Sequence, residues 1–185
     1  MPPASPFAET LLGWHDFYLL AGTVAATLMG LLFVALSLHW DVVLEDSRTH
    51  LHAIAIEAFG AFLIVAFLSL LMLAPTASAR PLGFALMLLG GLRLVIGLRH
   101  SRVLWSSSDE SFRRAEMIYR SVIIPGAFVL LGWCGFLIFR RDFDSGLAML
   151  TVAVILLLGM GARAAWDLLV RVGRLKMKAG QRPIS

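Results

Sequence analysis

Four charged side chains stand inside or beside long apolar segments of this 185-residue chain. They are Glu57, Arg93, Arg163 and Asp167. An ionisable group at membrane depth is costly, and it usually marks a path for ions or substrate, or pairs with another charge. The residue types therefore leave two alternatives open. The cluster lines a path through a membrane, or its charges are structural. In the structural case they neutralise each other and hold helices together, or the arginines snorkel.

The relative depth of these residues favours the second alternative. Counting along the helices at a rise of ~1.5 Å per residue places Glu57 level with Arg163, and Arg93 ~7 Å deeper. The sequence predicts that Glu57 pairs with Arg93 or Arg163, with Asp167 as the next carboxylate. A transport path would be expected at the bilayer midplane, whereas this cluster lies near one interface.

Five long segments position these charges. The chain is 59% hydrophobic and 15% charged, against roughly half and a quarter in average globular proteins. About 20 apolar residues cross a bilayer as a helix. Four runs without Asp, Glu, Lys, Arg or His, and a fifth interrupted only by Arg93, are 17–38, 58–79, 121–139, 145–162 and 81–98. The fold class predicted is an all-α membrane bundle of five spans in a single domain.

Turn residues and caps around these runs set the helix limits. The predicted helices cover about 17–40, 53–74, 82–98, 118–139 and 146–172. Ser108, followed by two acidic residues, is typical of a helix start, so the fourth helix is expected to begin near 109 as an extension outside the bilayer. Residues 173–185 form a basic tail, which is expected to contact anionic lipid.

The distribution of basic residues predicts the orientation. Basic residues collect on the cytoplasmic side of membrane proteins. With five spans, the side that holds the C-terminus carries eleven of them, namely Arg48, Arg99, Arg102, Arg113, Arg114, Arg120, Arg171, Arg174, Lys176, Lys178 and Arg182. The other side carries three, namely Arg80, Arg140 and Arg141. We therefore expect the N-terminus outside and the C-terminus inside.

Small residues mark the helix faces that are expected to pack. In the first predicted helix they recur every four residues, at Gly22, Ala26 and Gly30, and in the third they recur every seven, at Gly83, Gly90 and Gly97. Small residues let two membrane helices approach closely. Arg93 shares a face with the second set, which predicts that it points into the bundle. The same faces are also candidates for contacts between subunits.

The histidines are weak candidates for a metal site. Those on the predicted cytoplasmic side are His39, His50, His52 and His100. Imidazole and carboxylate suit zinc, iron or nickel, but no recognised ligand spacing is present. Nucleophilic catalysis has no support either, since the single cysteine lies within a span. The sequence predicts no cofactor, no enzyme activity and no nucleic-acid partner.

The first helix carries a resemblance. Trp14-His15-Asp16-Phe17-Tyr18, followed by Gly22 and Gly30-Leu31-Leu32-Phe33-Val34-Ala35-Leu36-Ser37, resembles a group of small bacterial inner-membrane proteins with a Trp/Phe start and an Ala/Gly-rich first helix. The resemblance covers residues 14–40. It implies a multi-pass protein of the bacterial inner membrane, and it implies no activity or site residue.

Together these features predict a non-enzymatic membrane protein with a structural, regulatory or assembly role. The alternative is a homo-oligomeric ion channel or transporter that uses Glu57, Arg93 and Arg163. A metal-dependent membrane enzyme comes third.

Overall fold

Helices make up the part of the chain that the structure describes. The computed structural model describes residues 6–38, 51–74, 78–104 and 123–180. Within these ranges the chain forms helices and no strands, which confirms the predicted all-α class. The helices are α1 (Pro6–Leu12), α2 (His15–Ser37), α3 (Leu51–Leu73), α4 (Ala79–Leu104), α5 (Ile124–Phe139) and α6 (Phe143–Gly180).

Three of these helices are long and apolar enough to cross a membrane. The qualifying segments are His15–Ser37, Ile54–Leu73 and Phe143–Gly173. Their outward faces carry large apolar side chains, such as Phe33 at 66% exposure and Leu70 at 66%. Soluble monomers rarely expose contiguous apolar surface on this scale. The described chain therefore has three candidate membrane-spanning helices, which support a membrane protein.

The helix limits differ from the expected ones mainly at the two ends of the chain. α1 occupies residues for which the apolar runs predict no helix, and the turn Gly13–Trp14 separates it from α2. α6 begins at Phe143 and continues through 173–180, which the sequence assigns to a basic tail. The predicted extension from about 109 lies outside the described residues, as do 39–50.

The chain divides into two compact units. The first comprises Met1–Phe17 and Leu71–Leu156, and the second comprises Tyr18–Leu70 and Leu157–Ser185. In the first unit α1 is anchored by Phe7, which is buried and meets the ring of Phe143 edge-on at 5.2 Å between ring centroids. Such an arrangement is favourable for aromatic pairs, and it ties the short helix to the start of α6.

The second unit has a continuous apolar core built from α2, α3 and α6. Its buried members are Leu32, Leu51, Ile54, Ala55, Ala58, Phe62, Ala164, Leu168 and Val172. On α3 these residues recur every three or four positions, which is the spacing of one helix face. Gly161 on α6 makes room for Phe62, because a Cβ there would lie 2.7 Å from the ring atom Cε1.

The turn after α5 holds an arginine in an unusual conformation. Asp142 N–H donates to Leu137 O at 3.0 Å, and Arg141 N–H donates to Ile138 O at 3.1 Å. This pair of bonds is the Schellman arrangement that ends many helices. The residue that adopts the left-handed backbone conformation in this motif is usually glycine. Here it is Arg141, with φ of 68°.

Replacing Arg141 by glycine is expected to stabilise the protein. A non-glycine residue in this conformation costs about 1–2 kcal/mol, so R141G should raise the free energy of unfolding in detergent by about 1 kcal/mol. The matched control is R140G, which removes the same charge at a residue with φ of −75°. Glycine offers no relief of strain there, so R140G should be neutral or destabilising. Equal effects of the two changes would contradict the account of this turn.

Candidate functional site

Glu57 lies at the edge of the buried face of α3, in the second unit. It is partly buried, and its neighbours Ile54, Ala58 and Ala61 are buried. Ala58 belongs to the core shared with α2 and α6. The carboxylate is therefore carried beside a packed helix face and not on the fully exposed side of the helix.

The helix α6 places Arg163 and Asp167 next to the same core. Arg163 is exposed, Asp167 is partly buried, and their neighbours Ala164 and Leu168 pack in the cluster that contains Ala58. The structure thus brings three of the four predicted site residues to one packed set of helices. The fourth, Arg93, belongs to the first unit.

A further charge on α6 joins this group. Arg171 is exposed and follows Asp167 by four residues. A carboxylate placed four residues before a basic group is the more favourable order on a helix. Arg163 precedes Asp167 by the same interval, in the less favourable order. The four-residue spacing of Asp167 and Arg171 is visible in the sequence. Arg171 lies beyond the apolar run 145–162, so the hydropathy pattern does not single it out.

Arg93 lies over an aromatic ring in the first unit. Its guanidinium carbon Cζ stands 5.6 Å from the centroid of Phe128 on α5, and the side chain is partly buried. A cation over an aromatic face gains about 0.5–2 kcal/mol, more as water is removed. Among the described residues of this unit, no carboxylate forms an ion pair with Arg93. The ring of Phe128 is a partner that the sequence does not reveal.

Glycines fix the helix pair that carries this contact. A Cβ at Gly90 on α4 would lie 2.7 Å from Phe128 O and 2.8 Å from Gly132 N. Seven residues earlier on α4, a Cβ at Gly83 would lie 2.7 Å from Gly135 O of α5. All three are backbone atoms, so α4 and α5 approach too closely for any side chain at Gly83 or Gly90. Gly97 lies in the stretch 96–104, for which the structure describes the helix but not the side chains.

The three small residues predicted to pack on α2, Gly22, Ala26 and Gly30, have different surroundings in the second unit. Gly22 lies against Ser69 of α3, because a Cβ there would meet the serine Cβ at 2.8 Å. Ala26 and Gly30 are exposed, and no atom of the described chain lies within 4 Å of a Cβ built at Gly30. The hydroxyls of Thr23 and Thr27 donate to carbonyls of their own helix. Of the two glycines, only Gly22 is in close contact with another described helix of the second unit.

A buried apolar segment separates Glu57 and Ser69 on α3. Ser69 is buried, and its Oγ has no hydrogen-bond partner among the described residues. Twelve residues separate it from Glu57, a length of ~18 Å along the helix. The buried side chains between them on this face include Ala61, Phe62 and Val65. Within the second unit these side chains offer no donor or acceptor that would link the two polar groups.

The predicted metal ligands are largely outside the described part of the chain. His39 and His50 fall in the gap 39–50, and the side chain of His100 lies in the undescribed stretch of α4. His52 is exposed at the start of α3. In the described ranges, no group of three or more His, Cys, Asp or Glu side chains is placed to hold a metal ion.

Comparisons with protein-family models, with curated proteins and with solved structures found no match to this chain.

Proposed function

We propose that this chain is a five-span protein of the bacterial inner membrane, with its N-terminus outside and its C-terminus inside. Three spans are the long apolar helices α2, α3 and α6. The other two are α4, interrupted by Arg93, and α5, whose 16 described residues are apolar. The excess of basic residues on the side of the C-terminus supports the orientation.

The role that fits best is structural, regulatory or in assembly, without enzyme activity. The observation that carries this proposal is the buried apolar segment of α3 between Glu57 and Ser69. Proton or ion transfer runs through closely spaced polar groups, and the buried side chains along these ~18 Å of α3 are alkyl and phenyl groups. In this proposal the charges hold helices in register.

In this role Glu57 is neutralised by an arginine. Arg163 is the partner within the same unit, and Arg93 is the other partner that the sequence predicts. Double-mutant cycles for unfolding in detergent distinguish them, using E57Q with R163Q and E57Q with R93Q. Residues that share one charged network show coupling of about 0.5–3 kcal/mol. One cycle should reach this range. If both cycles give zero coupling, Glu57 is not part of a charge pair with either arginine, and the proposed role fails.

The alternative function is a homo-oligomeric channel or transporter lined by Glu57, Arg93 and Arg163. The observation in its favour is the exposure of Arg163 and of Ala26 and Gly30 on α2, which leaves charged and small-residue surface for a second subunit. A chain of this size needs several copies to enclose a path. Native mass measured from lipid nanodiscs tests this, since a monomer is incompatible with it.

A metal-dependent enzyme is the third proposal, and it rests on the histidines of the predicted cytoplasmic side. Metal analysis of the purified protein tests it. A stoichiometric transition metal that is lost from a variant lacking His50 and His52 would support the enzyme, and metal-free protein would exclude it. The basic C-terminal residues are proposed to contact anionic lipid, at about 1 kcal/mol per residue.

A further inference from the structure

Three arginines flank one end of the glycine-fixed helix pair in the first unit. A Cβ at Gly83 on α4 would lie 3.0 Å from Phe139 N on α5, so these two residues are in direct contact. Arg80 precedes Gly83 by less than one helical turn, whereas Arg140 and Arg141 follow Phe139 directly. The three side chains are exposed. The start of α4 and the end of α5 therefore carry these arginines at the same end of the helix pair.

Local carboxylates do not neutralise this cluster. Asp142 and Asp144 follow it in sequence, yet in the described part of this unit neither forms an ion pair with any of the three arginines. Asp144 lies in the first turn of α6, where a negative charge is favoured by the helix dipole. Arg140 is instead held over the ring of Phe136, with Cζ 5.6 Å from the centroid.

An apolar surface continues directly from the arginines. Phe84 and Leu88 follow Arg80 at intervals of four residues on the same face of α4, and they are 61% and 60% exposed. Phe139, immediately before Arg140, is 50% exposed. The combined surface has three cationic groups at one end and large apolar side chains along the rest.

We propose that this surface binds a phospholipid with a net negative headgroup. The guanidinium fork matches a phosphate through paired hydrogen bonds, and the exposed Phe84, Leu88 and Phe139 line the course of an acyl chain. A free phosphate ion would use only the cationic end and leave the apolar part without a function. The site is separate from the basic C-terminal residues, because in the predicted topology the two lie on opposite sides of the membrane.

Native mass spectrometry in a non-ionic detergent tests the proposal by titration with phosphatidylglycerol. A basic residue near the membrane surface contributes roughly fivefold to the affinity for anionic lipid, so the triple variant R80Q/R140Q/R141Q should bind about 100-fold more weakly. Zwitterionic phosphatidylcholine should bind the parent protein weakly. Each single substitution should weaken binding by roughly fivefold, which keeps the test valid if the triple variant does not fold.

The matched control is R113Q/R114Q, which removes two charges from the predicted extension outside the bilayer. Phosphatidylglycerol should bind this variant within about twofold of the parent. Unchanged binding by the triple variant would overturn the proposal, and so would an equal loss in the control, since that indicates general charge attraction. An inorganic phosphate affinity equal to the lipid affinity would overturn the assignment to a lipid.

Discussion

The G90A variant is expected to lose about 1–3 kcal/mol of unfolding free energy, the usual cost of overpacking a closely fitted contact. The added methyl group would lie within 3 Å of Phe128 O, Gly132 N and Gly132 Cα. These are backbone atoms, so no side-chain rotation relieves the clash and the two helices must separate. Separation would also move the ring of Phe128 away from Arg93, which lies over it.

The adjacent glycine supplies the control for this result. Beyond its own helical turn, no atom of the described residues lies within 4 Å of a Cβ built at Gly91, which is exposed on the same helix. G91A should therefore be neutral, or stabilising by up to ~1 kcal/mol through helix propensity. Thermal and denaturant unfolding of both variants in one detergent give the comparison. A G91A variant as unstable as G90A would contradict the packing of α4 on α5.

The E57Q variant is expected to lose about 1–3 kcal/mol, as is usual when one partner of a charged hydrogen bond is removed. Glutamine keeps the shape of the side chain and removes its charge, so the loss reports electrostatics and not packing. The unfolding free energy should fall, and the helix content at low temperature should not change.

The control for this substitution is E9Q, the same change at an exposed position of α1. It should alter the unfolding free energy by less than about 0.5 kcal/mol, as is typical for surface positions. A stable E57Q variant would show that Glu57 does not hold the helices in register. The structural role of the charge cluster would then lose its main support.

The sequence predicts the packing face of α4 but not its partner. Glycines at intervals of seven residues stay on one face, because seven residues make nearly two turns of a helix. Gly83 and Gly90 both lie directly against the backbone of α5. The spacing does not indicate which helix packs on that face. The contact of Arg93 with Phe128 therefore cannot be predicted from the sequence.

Gly22, Ala26 and Gly30 of α2 show how a spacing of four residues differs from a spacing of seven. Four residues turn a helix by about 40° more than one full turn. Gly30 is therefore rotated by about 80° from Gly22. Gly22 packs on Ser69, whereas Ala26 and Gly30 turn outward. A spacing of four residues therefore keeps two successive residues near one helix face, but the third residue is rotated well away from it.

The ends of helices depend on residues that hydropathy overlooks. Apolar runs predict an end near 172, yet α6 continues to Gly180, because lysine, arginine and methionine favour helix as well as leucine does. α1 has a related explanation. Pro6 opens it, and proline is suited to the first turn of a helix. Its anchor, the contact of Phe7 with Phe143, joins residues far apart in sequence.

Ion flux through liposomes tests the central claim most directly, namely that the charged residues hold the helices together and do not conduct. The purified protein is reconstituted at known orientation, and proton, potassium and chloride fluxes are recorded under an imposed potential. Flux should equal that of protein-free liposomes for both the parent and E57Q. Flux by the parent that is lost in a correctly folded E57Q variant would contradict the central claim.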